Sequence, residues 1–365
     1  MGDLITTTAA LEAACEKAKS CGHLALDTEF VWRHTYLPQL GIVQLGADGD
    51  CRAVDCAKGL DPSPLGRAVA DEGVVKILHD ARQDLALVKR YTGASPKNVF
   101  DTQLAAAFAG FASGLGLQKL LFETLDVGLA KTETCTDWTR RPLSEAQVRY
   151  ALDDVRYLAA LREELLRRAD ALGTRAWLEE EMARYDESAL YDESAPQEMW
   201  RRVKLRRARP GRRGFAVLRA VAALREELAR EWNLPRAWLG SDESLVEMAE
   251  RGRVGRLVHR LGGGRAAQLR ARYADAVAAA LKTPEEDCPE DPRVHYIGEV
   301  LDAADKALEW LERRAPELHV DHAVIANRAT VTAFVDNVAD GSNPLARGWR
   351  WEAVGRDMAG RFGVD

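Results

Sequence analysis

The sequence predicts an α/β domain followed by two small helical domains. Three observations carry this reading. The first 170 or so residues mix strand and helix signals. After about residue 197 the strand signals almost vanish, and helical periodicity rich in Ala, Arg, Leu and Glu takes over. Two seams separate the parts. Tyr185–Ala189 and Tyr191–Ala195 both read Tyr-Asp-Glu-Ser-Ala and precede Pro196, and residues 283–292 hold three prolines and five acids. The expected division is an α/β domain at 1–184, an exposed acidic linker at 185–196 and a basic helical domain at 197–282. An acidic, proline-rich linker at 283–292 and a second helical domain at 293–365 complete it.

The elements follow in order. His23–Leu26 reads as a short strand ending at Asp27, and Leu40–Leu45 as a second. Ala47–Asp50 supplies a hairpin turn and Cys51–Asp55 returns as the third strand. Val74–Leu78 is a fourth, followed by a helix over about residues 81–91. Asn98–Phe100 is a fifth, followed by a helix over Thr102–Phe108. Ser144 and Gln147 form a capping-box pattern that opens a helix running to about Leu158. Val217–Trp232 is amphipathic. The order βββαβα is not the alternation of a dinucleotide fold, and no GxGxxG or Walker loop is present.

Composition narrows the class further. Of 365 residues, 47% are hydrophobic and 30% charged, enough apolar material for a core that needs no metal or disulfide staples. No apolar run reaches the roughly 18 residues of a membrane span. Six cysteines in a chain this long fit free thiols in a reducing cytoplasm, and Cys51 and Cys56 lack the spacing of a zinc site. The net charge of −6 hides an asymmetry. Residues 198–282 carry 20 Lys/Arg against 9 Asp/Glu, which leaves −17 on the rest of the chain. A basic middle between acidic flanks suggests a polyanionic partner.

Asp27 and Glu29 stand two apart on one face of the first strand. Two carboxylates on one face repel unless a cation lies between them, and hard divalent ions take carboxylate oxygens. Asp84 falls one turn inside the helix after the fourth strand, with Asp80 nearer its N-cap. Tyr150 and Asp154 are i and i+4 on the capped helix, hence stacked on one face. Asp101 reads as a helix N-cap.

Taken together, this ordered set resembles the DEDDy 3′→5′ exonucleases. Asp101-Thr-Gln103 and the segment with Lys131, Asp137-Trp138 and Arg141-Pro142-Leu143 narrow the resemblance to ribonuclease D over residues 1 to about 180. The Pro235-Arg236-x-Trp238 segment, followed by an acidic helix start, is similar to an HRDC domain over about 211–282. Residues 293–365, closing on Gly348-Trp349-Arg350, look like a more divergent copy. The resemblance implies an RNase H-like exonuclease domain with a mixed sheet, followed by two all-α HRDC-like domains. It implies Asp27, Glu29, Asp84 and Asp154 holding two divalent cations, Mg²⁺ or Mn²⁺. Tyr150 would position the attacking water, since a phenol of pKa about 10 is a poor base at pH 7. The implied activity is metal-dependent 3′→5′ exoribonuclease action that releases nucleoside 5′-monophosphates. The implied partner is RNA with a free 3′ end, tRNA precursors among its forms, and the implied state is a cytoplasmic monomer. A DNA exonuclease and a non-catalytic RNA-binding scaffold are the rival readings, and retention of all four acids and the tyrosine argues against the second.

Substrate contacts are expected around that centre. Thr28 presents a backbone group to the 3′ hydroxyl. Phe30 is a base-stacking residue or a core phenylalanine. His79 is a phosphate contact or a structural histidine, and Lys131 and Arg141 reach phosphates. Eight basic residues lie between Arg201 and Arg213, Arg206 and Arg207 among them. They read as phosphate contacts, with a solvated helix face as the alternative. The second helical domain lacks this density and is expected to bind RNA less.

Overall fold

A six-stranded mixed sheet carries the first part of the chain. Its strands are β1 (Leu4–Ile5), β2 (His23–Val31), β3 (Gln39–Ala47), β4 (Asp50–Asp55), β5 (Val75–Leu78) and β6 (Val99–Asp101), in the spatial order β1-β4-β3-β2-β5-β6. β3 and β4 are antiparallel, β1 runs parallel to β4, and β5 runs parallel to both β2 and β6. The computed structural model describes residues 3–129, 136–257 and 259–364. The β3–β4 turn has positive φ at both Asp48 and Gly49, the primed geometry that matches strand twist.

Among the described residues of this part, eight α-helices lie between and after the strands: α1 (Thr8–Cys21), α2 (Ser63–Ala70), α3 (Ala81–Thr92), α4 (Thr102–Phe108), α5 (Leu117–Leu125), α6 (Glu145–Arg156), α7 (Leu158–Leu172) and α8 (Arg175–Ala183). β1, α1, α2, α5, α7 and α8 are additional to the elements expected individually from the sequence. The expected first strand also ends too early, since β2 continues through Asp27 and Glu29 to Val31. Those acids therefore project from within the strand rather than from its end.

The chain divides into two compact units. One comprises Met1–Phe30, Leu40–Asp192 and Tyr296–Asp365, and the other Val31–Gln39 and Glu193–His295. This differs from the expected division at several places. Residues 31–39, expected within the α/β domain, and residues 283–292, expected as a separate linker, belong to the second unit. Residues 185–191 are not a free-standing linker: Glu187–Ala189 are exposed, but Tyr185, Leu190 and Tyr191 pack against the first unit. They form 3₁₀ turns in which Tyr191 is buried and its hydroxyl donates to the Tyr185 carbonyl at 2.7 Å. The duplicated tyrosines supply apolar rings that outweigh the acidic composition between them. Nor do the last 70 residues stand apart. Trp349 is buried, stacked on Trp177 at 5.5 Å and edge-on to Phe108 at 5.3 Å, and its indole donates to Glu181 at 3.1 Å. Arg350 pairs with the same carboxylate. The Gly-Trp-Arg motif thus joins the helices Gly298–Arg314 and Arg328–Asp336 to the core under α4, α7 and α8.

The second unit is helical: α9 (Arg212–Glu231), α10 (Arg236–Leu239), α11 (Asp242–Arg251) and α12 (Gly263–Ala280). Phe215, Leu218, Val221, Leu245, Leu269 and Tyr273 fill its centre. Among the described residues no helix is long and apolar enough to cross a membrane.

Candidate active site

β2 presents Asp27 and Glu29, and α6 brings Asp154 to them. Carboxylate oxygens of all three lie within 4.8 Å of one another. The approach of α6 depends on Gly46 of β3. A Cβ there would stand 3.1 Å from the Ala25 side chain and 3.2 Å from the Val155 carbonyl. α6 itself starts on the predicted cap: Ser144 and Gln147 exchange both hydrogen bonds of a capping box. The same helix carries Tyr150 one turn before Asp154, its ring 6.2 Å from that of buried Trp138.

Asp84 lies in the first turn of α3 and accepts a hydrogen bond from the Thr28 hydroxyl. Three acids therefore form the tight cluster, and the fourth stands beside them, tied through Thr28. The electrostatics show what this arrangement costs. Burial, then repulsion from Asp84, Asp154 and Glu29, holds Asp27 well above the usual carboxylate range. Burial and Asp154 push Glu29 up to about 8. Burial raises Asp154 to about 7, and raises Asp84 to about 6 against the opposing bond from Thr28. Burial and the neighbouring acids also raise the Tyr150 phenol above its ordinary value. An all-oxygen set of half-buried, mutually repelling carboxylates suits a hard divalent cation, which relieves both penalties together.

Other expected contacts fare differently. His79 is structural: Nδ1 meets the Thr102 hydroxyl at 3.0 Å and Nε2 the Leu115 carbonyl at 2.9 Å, and burial lowers its pKa. Both ring nitrogens are spent, so it is no phosphate ligand. Arg141 is likewise committed. Its Nε lies 3.0 Å from each oxygen of buried Asp55, and Nη2 lies 2.6 Å from one of them. The rest of the guanidinium donates to the carbonyls of Gly41, Trp138 and Arg140. Phe30 is half-buried and belongs to none of the three buried apolar clusters, so it is not a core phenylalanine. Lys131 lies outside the described residues. In the second unit Arg206 and Arg207 are exposed; Arg206 faces Glu243 at 3.0 Å.

A model of the 3'-5' exonuclease family matches residues 3–170. The ribonuclease D of Desulfotalea psychrophila is 36% identical over 361 residues, 96% of each chain. The chain belongs to the ribonuclease D family. Another ribonuclease D, from Acidiphilium cryptum, is 34% identical and covers 97% of this chain and 91% of its own. The crystal structure of Escherichia coli RNase D is similar with a TM-score of 0.84 and 26% identity, covering 99% of both chains. The expected fold class therefore holds: an α/β exonuclease domain with a mixed sheet, followed by helical HRDC-like regions. The chain is a 3′→5′ exoribonuclease acting on RNA, of a family that uses divalent metals.

Two supports of this ribonuclease D site escaped the sequence reading. Gln44 is fully buried on β3, and its amide donates toward Asp27 at 3.4 Å while its Oε1 has no protein partner. A glutamine inside the apolar run Leu40–Leu45 was the available signal. The second support is Tyr185, whose hydroxyl donates to Asp101 at 2.6 Å. Asp101 caps α4 as expected, but it also accepts the backbone N–H groups of Asp80 and Ala81 at 3.0 Å each. It thereby caps α3 in place of Asp80, which has positive φ and makes no side-chain cap bond. The turn that carries Asp84 is held from β6 and from the segment after α8.

Proposed function

We propose that this ribonuclease D removes nucleotides one at a time from the free 3′ end of RNA and releases nucleoside 5′-monophosphates. Its substrates are tRNA precursors and other structured RNAs, and it acts as a monomer in the cytoplasm. The reading is carried by the convergence of Asp27, Glu29 and Asp154, with Asp84 beside them. These four acids hold two divalent cations, Mg²⁺ or Mn²⁺. When bound, such ions lower the pKa of the attacking water and neutralise charge on the leaving 3′ oxygen. The protein groups do the rest. Gln44 orients Asp27 through its amide, and the Thr28 hydroxyl orients Asp84. Tyr150, its phenol held protonated by burial and by the acids around it, positions the attacking water by hydrogen bonding rather than removing its proton. Phe30 offers a ring face to the terminal base, and the Thr28 backbone meets the terminal hydroxyl. In the second unit Arg206 and Arg207 contact phosphates. Support for structured substrates comes from the Escherichia coli relative, described as an exoribonuclease involved in structured RNA processing.

The test is a time course on 5′-end-labelled RNA, with and without chelator, beside a matched DNA strand. A ladder that shortens from the 3′ end, leaves mononucleotides and stops with chelator is expected. Asp154→Asn should lower turnover about a hundredfold or more while RNA binding persists. Faster removal from DNA, or wild-type turnover by Asp154→Asn, would overturn the reading.

A further inference from the structure

Trp32 is 54% exposed, one of few large apolar side chains among the described residues left in solvent. A lone exposed apolar residue needs no explanation. This one differs in how it is held. Its indole Nε1 donates to the Tyr36 carbonyl at 3.3 Å, so the ring's polar edge is spent within its own loop. What remains available is the π-face. The loop beneath is anchored by hydrogen bonds. The Thr35 hydroxyl donates to the Leu37 carbonyl at 2.6 Å, and the Tyr36 N–H donates to the Asn233 side chain at 3.2 Å. The buried Tyr36 hydroxyl donates to Glu226, and the guanidiniums of Arg230 and Arg236 cover its ring at 5.7 and 4.8 Å. An exposed indole thus sits on a segment fixed by a buried network of the second unit.

Its neighbours extend the surface. Arg33 is exposed and has no ion-pair partner among the described residues. His34 is also exposed, its ring 5.6 Å from half-buried Trp238. Along the chain two exposed aromatic groups therefore flank a free cation, in a unit whose residues 198–282 carry a surplus of eleven positive charges. A phosphate reads the cation, and a flat, sequence-tolerant ring reads the aromatic faces. Double-helical RNA keeps its bases stacked inside and offers no free face, whereas a single strand does.

The geometry points to Trp32, Arg33 and the His34–Trp238 pair as a stacking platform for single-stranded RNA: Trp32 receives a base face, Arg33 the adjoining phosphate, and His34 with Trp238 a second base. The inference rests on RNA being the substrate and adds to it a site outside the acids. The platform favours RNAs with unpaired nucleotides over blunt helices.

The test is equilibrium binding by fluorescence anisotropy in the presence of EDTA. The probes are a labelled single-stranded RNA oligonucleotide and a blunt RNA duplex of equal length. Trp32→Ala is expected to weaken single-strand binding about tenfold and to leave duplex binding unchanged. Trp32→Phe should restore most of the loss and Trp32→Leu should not, because only a π-face stacks. Arg33→Gln should flatten the dependence of log K on log salt by about 0.7 for the lost phosphate contact. Circular dichroism of each variant establishes folding. Equal binding by Trp32→Ala and wild type, or equal rescue by Leu and Phe, overturns the platform. Should wild type bind neither probe, the RNA reading falls with it; shortening of the probe in EDTA would instead refute the metal reading alone.

Discussion

Replacing Arg141 by methionine separates a structural role from a substrate role. Asp55 is 1% exposed, and its two oxygens accept three hydrogen bonds from the Arg141 guanidinium, at 2.6–3.0 Å. The same group serves the carbonyls of Gly41, Trp138 and Arg140. Methionine keeps much of the apolar stem and removes every donor. It leaves a buried carboxylate without a cation, which costs about 3–5 kcal/mol. That is a large part of the 5–15 kcal/mol by which a domain of this kind is stable. For a unit of this size it lowers Tm by roughly 10 °C. Urea unfolding followed by tryptophan fluorescence reads the loss. Adding Asp55→Leu to Arg141→Met should recover most of it, since an apolar pair of similar volume avoids the stranded charge. Arg141→Lys should recover only part, because an ammonium cannot fork onto both oxygens. The reasoning is refuted if Arg141→Met unfolds at the wild-type midpoint while RNA binding weakens and loses salt dependence, the pattern of a phosphate contact.

Two further outcomes follow from buried groups. Tyr185→Phe removes the hydroxyl that donates to Asp101 at 2.6 Å, and should cost about 1.5–3 kcal/mol in urea unfolding, because the acceptor is a buried carboxylate; a loss under about 0.5 kcal/mol would show that the bond contributes nothing. Glu226 governs the acid stability of the second unit. Burial alone would raise its pKa, but hydrogen bonds from Arg236, Tyr36 and Arg230 outweigh burial and hold it at about 2. A depressed carboxylate stabilises above its unfolded pKa, and that contribution is lost as pH falls from about 4.5 toward 2, here about 2–3 kcal/mol. The Tm of wild type should therefore drop toward that of Glu226→Gln across this window; a constant difference between the two proteins from pH 6 to pH 3 would contradict the assignment.

The readable parts of the site were those whose signals are local. Asp27 and Glu29 share a strand face because strands repeat every two residues. Tyr150 and Asp154 share a helix face because four residues make about one turn. The Ser144–Gln147 cap and the Asp48–Gly49 turn are likewise decided within four residues. Chemistry written at such short range survives in a bare sequence. What folding alone decided was the partner of each polar atom. His79 and Arg141 carry the charge and shape of phosphate ligands, yet Leu115 and Asp55, 36 and 86 residues away, occupy their donors. Gln44 gained its place against Asp27 only when β3 lay beside β2. The acidic stretch at 185–191 has the composition of a solvated tether. Two tyrosine rings and a hydroxyl aimed at Asp101 anchored its ends to the core instead. Trp349 closed the last helices onto α8 in the same way. Periodicity sets which face a side chain occupies, whereas burial and hydrogen bonding depend on what arrives opposite, and that is a property of the folded chain.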